Sequence, residues 1–420
     1  SSSDIPEQFS FRKLSKAFPP PSIMGFSIKS NASTGASSRR RQSEILSRED
    51  LSRYPQWAQA FGSKRKDRRY YELVEDTINP EFKYGYFGLR EGDGSVSAFQ
   101  PFFIVDQDIL LGAHPRLTSL VGSIRRVWPR FMVLRTLMVG CVAGEGHIDD
   151  GDEPKRRCRM ECLARELPDH AHTLKADLIV LKEFPARYRG VLRCFVSNGF
   201  VRTPSLPMTR LNIDYESFED YERRALKSAT RAKLRRKFKA AEKDAPIVME
   251  IVTDVSTVID EIYPLYLQVY HRSKLRFDRL TKDYFVGLGV KMPDKARFFL
   301  WRRNGRIVAF TLCMIEEETL YAEYIGLEYA VALDLHLYHY AVRDMINWGI
   351  ANGFKFFGAG ALNYDPKLQM RHCLDPIDLY VRHRSTAVNA VLKRLLPLLD
   401  PTRRYPILRK FPNYDELWAA

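Results

Sequence analysis

No apolar stretch in this sequence approaches the roughly 20 uninterrupted residues that a membrane-crossing helix needs, so a spanning topology is excluded. Cysteine is sparse, with six in 420 residues: Cys141, Cys158, Cys162, Cys194, Cys313 and Cys373. Scattered mostly inside apolar patterns, they form no disulfide framework and read as reduced thiols of a cytoplasm-like compartment. Cys158 and Cys162 would share a helix face, with His147 upstream. No second pair completes a tetrahedral zinc set, and no metal is expected. The opening Ser1-Ser2-Ser3-Asp4 lacks the basic and apolar segments of a secretory leader, while the missing initiator Met leaves the true start open. Acidic residues are outnumbered, 51 to 66, and the resulting net charge of +15 implies an anionic partner. Coenzyme A phosphates, a tRNA and an acidic membrane surface all fit that charge equally.

With 45% hydrophobic and 28% charged residues the composition is that of an ordinary globular protein, and the length favours two domains plus tails. Residues 1–66 are rich in Ser, Pro, Arg and Lys and are expected to be flexible. Within them, Phe9 to Phe18 mixes aromatic and basic residues, as either a solvated tail or a membrane or partner contact. From Arg68 the pattern turns globular. Tyr84 to Arg90 and Val96 to Val105 read as strands joined through Glu91-Gly92-Asp93-Gly94, a hairpin signal. A strand over Phe131 to Gly140, a helix over Lys155 to Leu167, a strand over Asp177 to Lys182 and a helix over Tyr188 to Asn198 follow. Phe200 to Ile213 closes that unit.

Glu219 to Glu242 is helical and strongly basic, carrying Arg231 and Arg235 among others. It is either a solvated connector or a cationic wall facing a polyanionic donor. Strand Pro246 to Thr253 and helix Ser256 to Arg272 precede a second hairpin, Ala296 to Trp301 and Arg306 to Ile315, about Asn304-Gly305. Leu320 to Ile325 is then a strand, Leu335 to Ala351 a helix stopped by Gly353, and Lys355 to Phe357 a further strand. Strand, crossover helix and strand place the two strands parallel, with their carboxyl ends at one crevice. Beyond His383, Val388 to Leu399 forms a basic amphipathic helix that either packs on the body or lies on a membrane.

The run Gly326-Leu327-Glu328-Tyr329, the Leu335-His336-Leu337-Tyr338 helix, Trp348, Gly353 and Tyr364-Asp365-Pro366-Lys367 resemble the C-terminal half of a FemAB-like protein. The resemblance extends over Arg68 to about His383. It implies an α/β (α+β) fold of two tandem GNAT-like domains, each a mixed sheet flanked by helices. The hairpin, strand, helix, strand order occurs twice, in keeping with it. The expected division is a flexible segment 1–66, a first domain 67–215, a helical connector 216–245, a second domain 246–384 and a tail 385–420.

The resemblance also implies transfer of an acyl or aminoacyl group from an activated carrier to an amine. Such chemistry needs a bound carbonyl, removal of the amine proton and positive charge at the developing oxyanion. Lys367 matches the motif Lys and is the candidate for that charge, against the reading of an exposed lysine. Tyr364 either orients the same carbonyl or walls the pocket. Glu323, an acid within an apolar strand, is either a general base or the partner of a basic residue from a neighbouring strand. His336, Tyr338, Arg371, Arg231 and Arg235 are the candidates for binding substrate or donor. His336 and His339, three apart, share a helix face. Arg371 stands where the family usually has Gly.

A glycine-rich phosphate loop is missing from Ala330-Val331-Ala332-Leu333-Asp334, and Gly144-Glu145-Gly146 in the first domain lacks a leading basic residue. The long coiled-coil insertion of peptidoglycan aminoacyltransferases is also missing. The missing phosphate loop counts against the standard grip on coenzyme A, and the missing insertion against aminoacyl-tRNA. On the latter ground the expected enzyme is an N-acyltransferase using acyl-CoA as co-substrate, with no tightly bound cofactor and an amine acceptor on a lipid or cell-envelope precursor. Aminoacyl-tRNA is the alternative donor, and a non-catalytic scaffold binding an anion or membrane is the alternative class. The expected location is cytoplasmic, with peripheral contact at the inner membrane left open.

Overall fold

The computed structural model describes residues 41–78, 82–108, 122–126, 133–273, 279–396 and 400–419. The aromatic and basic stretch Phe9 to Phe18 lies outside them. Two seven-stranded mixed sheets carry the fold. The strands are β1 Ser43–Leu46, β2 Lys83–Arg90, β3 Val96–Asp108, β4 Val133–Val139, β5 Leu178–Pro185, β6 Val201–Pro204, β7 Met208–Asn212, β8 Ile247–Val252, β9 Ala296–Arg303, β10 Arg306–Glu316, β11 Thr319–Leu327, β12 Phe356–Ala359, β13 Cys373–Asp375 and β14 Ile377–His383. The first sheet runs β1-β2-β3-β4-β5-β14-β6 and the second β13-β7-β12-β11-β10-β9-β8. Each has one parallel pair, β4 with β5 and β11 with β12, joined by a crossover helix, Glu153–Thr173 and Leu337–Ala351 respectively. Antiparallel strands flank both pairs, which is the tandem GNAT-like arrangement.

Local chemistry sets these elements. Asn304 and Gly305 both have positive φ, 50° and 78°, the twist that a two-residue hairpin between β9 and β10 requires. Gly353, at φ 77°, ends the Leu337–Ala351 helix. The basic stretch is two helices, Phe218–Ala225 and Ser228–Ala241, because Leu226 is extended (ψ 141°) and breaks the continuous helix expected from composition.

Two of the expected boundaries give way. β14, beyond the second domain's sheet in sequence, inserts between β5 and β6 of the first, while β7 leaves the first domain to lie between β12 and β13 of the second. Alternation identifies a strand but not its neighbour, so a linear division at 215 and 246 cannot register this exchange. Residues 41–66 are also built into the body. β1 pairs with β2, and Trp57, Phe61, Arg65 and Lys66 are buried. Their apolar anchors are spaced too widely to stand out from a polar segment.

At the other end, the Thr386–Leu395 helix turns Leu392 and neighbouring Leu396 toward the first core and leaves Val388, Val391 and Leu395 exposed. Residues 400–419 fold as short turns over Tyr364 and Leu374, burying Leu408, Phe411 and Leu417. Among the described residues no helix is long and apolar enough to cross a membrane.

Candidate active site

The parallel pairing of β11 with β12 runs from Thr319 opposite Phe356 to Ala322 opposite Ala359 and stops there. β11 continues to Leu327 against β10 alone, so beyond Ala322 the two strands part. β12 ends at Ala359, and after Gly360 and Ala361 the chain reverses through Leu362 and Asn363, both left-handed (φ 71° and 47°), into the short Tyr364–Gln369 helix. A cavity of about 520 Å³ occupies the gap, enclosed by β10, β11, β12, the Leu337–Ala351 helix and the turn 360–372.

Lys367 lines this cavity and is only 5% exposed. Its Nζ donates to the carbonyl oxygens of Gly360 and of Leu362 (2.8 Å), the backbone at the end of β12. With carbonyls rather than a carboxylate around it, desolvation dominates and pushes its pKa down to about 7. An amine so placed is a cation that is easily lost at neutral pH.

His336, Tyr338 and His339 also line the cavity, on the crossover-helix side. His336 takes a left-handed conformation (φ 48°) at the helix start, and the exposed Leu333 sits beside it at the rim. Lys237 Nζ donates to His339 Nε2 at 3.0 Å. Burial, with Lys237 next, pushes the His339 pKa down to about 4, so this ring is neutral. Burial raises the Tyr338 hydroxyl to about 12, so it remains a phenol.

The other expected site residues present no free group to the cavity. Glu323 reaches the cavity wall, but its carboxylate is not a free base. Oε1 accepts from Arg65 Nε at 2.6 Å, and Oε2 lies 3.7 Å from Lys66 Nζ. The partner is thus a segment far upstream rather than a neighbouring strand. Arg65 also meets Glu145 and Glu316 and stacks on Tyr321 (3.6 Å to the ring centre), while Lys66 donates to Glu145 at 2.6 Å. Arg187 completes the cluster at Glu316, 3.2 Å away. Burial opposes ionisation of Glu145, but Arg65 and Lys66 outweigh it and hold its carboxyl well below the usual range.

The Gly144-Glu145-Gly146 turn is therefore filled by the chain's own lysine. Gly144 is left-handed (φ 89°), and a Cβ there would collide with Lys66 Nζ. Cys158, exposed, and Cys162, buried, do share a face of the Glu153–Thr173 helix and lie close enough to interact, but among the described residues no three metal-binding side chains gather.

Tyr364 points away from the cavity. Its hydroxyl donates to the Pro207 carbonyl at 2.9 Å, and its ring packs on Tyr405 and Phe411. Arg231 donates to the Leu226 carbonyl (2.6 Å) and Arg235 pairs with Glu222 (2.9 Å); both brace the adjacent helix outside the cavity. Lys237 is the basic residue of that helix that reaches a cavity-lining side chain.

Arg371 is exposed and does not line the cavity. Its φ of 66° and the His372 N–H to Lys367 carbonyl bond (3.0 Å) show it closing the Tyr364–Gln369 helix as a glycine would. Arg371→Gly should therefore stabilise the chain by about 0.5–1 kcal/mol, measured by urea denaturation, with the cavity unaltered.

The architecture is a tandem GNAT-like fold with the cavity in its second sheet. More particularly, residues 191–380 match the FemAB-like family, described as peptidoglycan biosynthesis and recognition. The crystal structure of FemX is 11% identical, covers 74% of this chain and 90% of its own, and has a TM-score of 0.49. For L-PGS from Bacillus licheniformis the values are 13%, 80%, 96% and 0.44. For a tandem GNAT protein from the clavulanic acid biosynthesis pathway they are 11%, 82%, 99% and 0.45. No curated protein matches.

Proposed function

We propose that this chain is an N-acyltransferase that moves an acyl group from an activated thioester to an amine acceptor, a lipid or cell-envelope precursor. The reading rests on one observation: a depressed-pKa lysine, Lys367, lining a cavity opened by parted parallel strands. The FemAB-like match over residues 191–380 supports the coarser class, an acyl or aminoacyl transferase acting on envelope material.

In this scheme the thioester carbonyl enters the cavity and the acceptor nitrogen attacks it. Electron density moves onto the carbonyl oxygen, which Lys367 stabilises as a cation in a poorly solvated site. Collapse of that adduct breaks the carbon–sulfur bond and releases the thiolate. His336 replaces Glu323 as acceptor of the amine proton. Partial burial and Lys237 lower its pKa, keeping the ring neutral at pH 7.

The pH dependence tests this directly. Lys367 is charged below about pH 7 and loses its proton above it, whereas the acceptor amine becomes reactive as pH rises. The expected kcat/KM profile is a bell whose alkaline limb begins near pH 7, measured with acyl-CoA and a set of lipid amines. A rate that climbs without a limb to pH 9 removes Lys367 from the oxyanion role. A lack of turnover with every acyl donor and amine supports the scaffold reading.

Aminoacyl-tRNA is the second reading, favoured by the exposed Lys233, Arg236 and Lys239 on the helix whose Lys237 meets His339. Native mass spectrometry of the purified chain distinguishes the two donors by whether a thioester or a tRNA is retained.

A further inference from the structure

The cavity is lined mainly by apolar side chains, yet two of its lining residues, on separate elements, bury three polar atoms that no described residue satisfies. His372 is 1% exposed and lines the cavity just past the Lys367 helix. Neither Nδ1 nor Nε2 of its ring has a hydrogen-bond partner among the described residues. Thr311, equally buried, lines the cavity from β10 with Oγ1 likewise unpaired among them. The edge of one ring faces the other where His372 meets Phe357, 6.0 Å between centres, which gives the imidazole a defined packing neighbour.

Buried polar groups are nearly always paired, because an unpaired one forfeits its hydration with no return. Phe at position 372 or Val at 311 would suit an apolar cavity better. Unmatched polar groups on a cavity wall are the complement of a ligand that brings the partners. Burial and then Lys367 push the His372 pKa down to about 3, so the imidazole is neutral and offers one N–H donor and one bare nitrogen acceptor. Lys367, close enough to act on it, disfavours a second cation nearby.

Resting on the acyl-transfer reading of this cavity, we propose that the acyl group carries a neutral hydrogen-bonding substituent, a hydroxyl or an amide, recognised by His372 and Thr311. A plain alkyl chain leaves both side chains unpaired, and an ammonium-bearing chain faces Lys367. His372 and Thr311 are thus specificity-determining residues rather than catalytic ones.

The test uses the full chain and hexanoyl N-acetylcysteamine thioester, its isomers hydroxylated at each chain carbon, and its ammonium-bearing counterpart. Calorimetry should show one hydroxylated isomer binding about tenfold or more tighter than the plain thioester, and the ammonium compound binding weakest. The advantage should vanish in His372→Phe, return in His372→Gln, and shrink in Thr311→Val. Equal binding of plain and hydroxylated thioesters, or an advantage that survives both His372→Phe and Thr311→Val, overturns the proposal.

Hexanamide and its hydroxylated isomers provide a second arm that needs no activated donor, read as a shift in melting temperature. If no thioester binds but a hydroxylated amide stabilises the parent chain and not His372→Phe, the polar recognition holds and the thioester reading falls. Equal shifts from all the amides overturn the recognition itself.

Discussion

Replacing Lys367 by methionine should reduce kcat by about 10²- to 10³-fold while making the chain more stable below pH 7. The two effects share one cause. Lys367 is buried without an anion, its Nζ held by the Gly360 and Leu362 carbonyls, and desolvation depresses its pKa to about 7. In the unfolded chain its pKa returns to about 10.4, so between those values the unfolded state binds more protons and stability rises with pH. Below about pH 7 both states are protonated and the cost of the buried charge is felt in full. Methionine fills similar volume without that cost. The stability gap, of the order of a few kcal/mol, should therefore be widest near pH 6 and close as pH approaches 10. Urea denaturation at pH 6, 7.5 and 9, paired with turnover, measures both. A variant that retains activity, or one less stable than the parent at pH 6, contradicts the assignment.

Arg65→Met should have the opposite character, a loss of about 3–5 kcal/mol at pH 7.5. Arg65 is fully buried and faces Glu145, Glu316 and Glu323. Without it, Lys66 and Arg187 remain beside three carboxylates, so buried negative charge goes uncompensated. In the parent, Glu145 and Glu316 have lowered pKa values despite burial, so their contribution is present above the unfolded carboxyl range and lost as acid protonates them. In the variant burial is opposed by less positive charge, the carboxyl pKa values rise, and the slope reverses. Acidification from pH 7.5 to 5.5 should stabilise Arg65→Met while leaving the parent flat or weaker. Equal slopes in the two proteins would show that the cluster does not act as one charge-balanced unit.

Much of the site was legible before the structure because it lies in one βαβ unit. The strand at Leu320, the helix stopped by Gly353 and the following strand required parallel neighbours with a crevice at their ends, and Lys367 stands there. His336 and His339 both line the cavity, although His336 is the left-handed residue just before the helix and not a member of its face. What escaped depends on contacts between residues far apart in sequence. Glu323 meets Arg65 across 258 positions, and Lys64-Arg65-Lys66 reads like any solvated basic run. Tyr364 turns from the cavity because residues 400–419, read as a tail, supply the aromatic surface against which it packs. His372 carries no periodic signal. Only its burial, with both ring nitrogens unpaired among the described residues, marks it.

The exchanged strands β7 and β14 make the two lobes inseparable in practice. A fragment ending at residue 215 would keep β5 and β6 but lack β14 between them, exposing two rows of unsatisfied backbone groups. The complementary fragment would have the same gap beside β12 where β7 belongs. Each piece is thus a template for the missing segment of another copy, and cutting the gene at the connector should yield sticky, self-associating halves instead of two working modules. Mixed together, the halves should regain solubility only by trading those segments back.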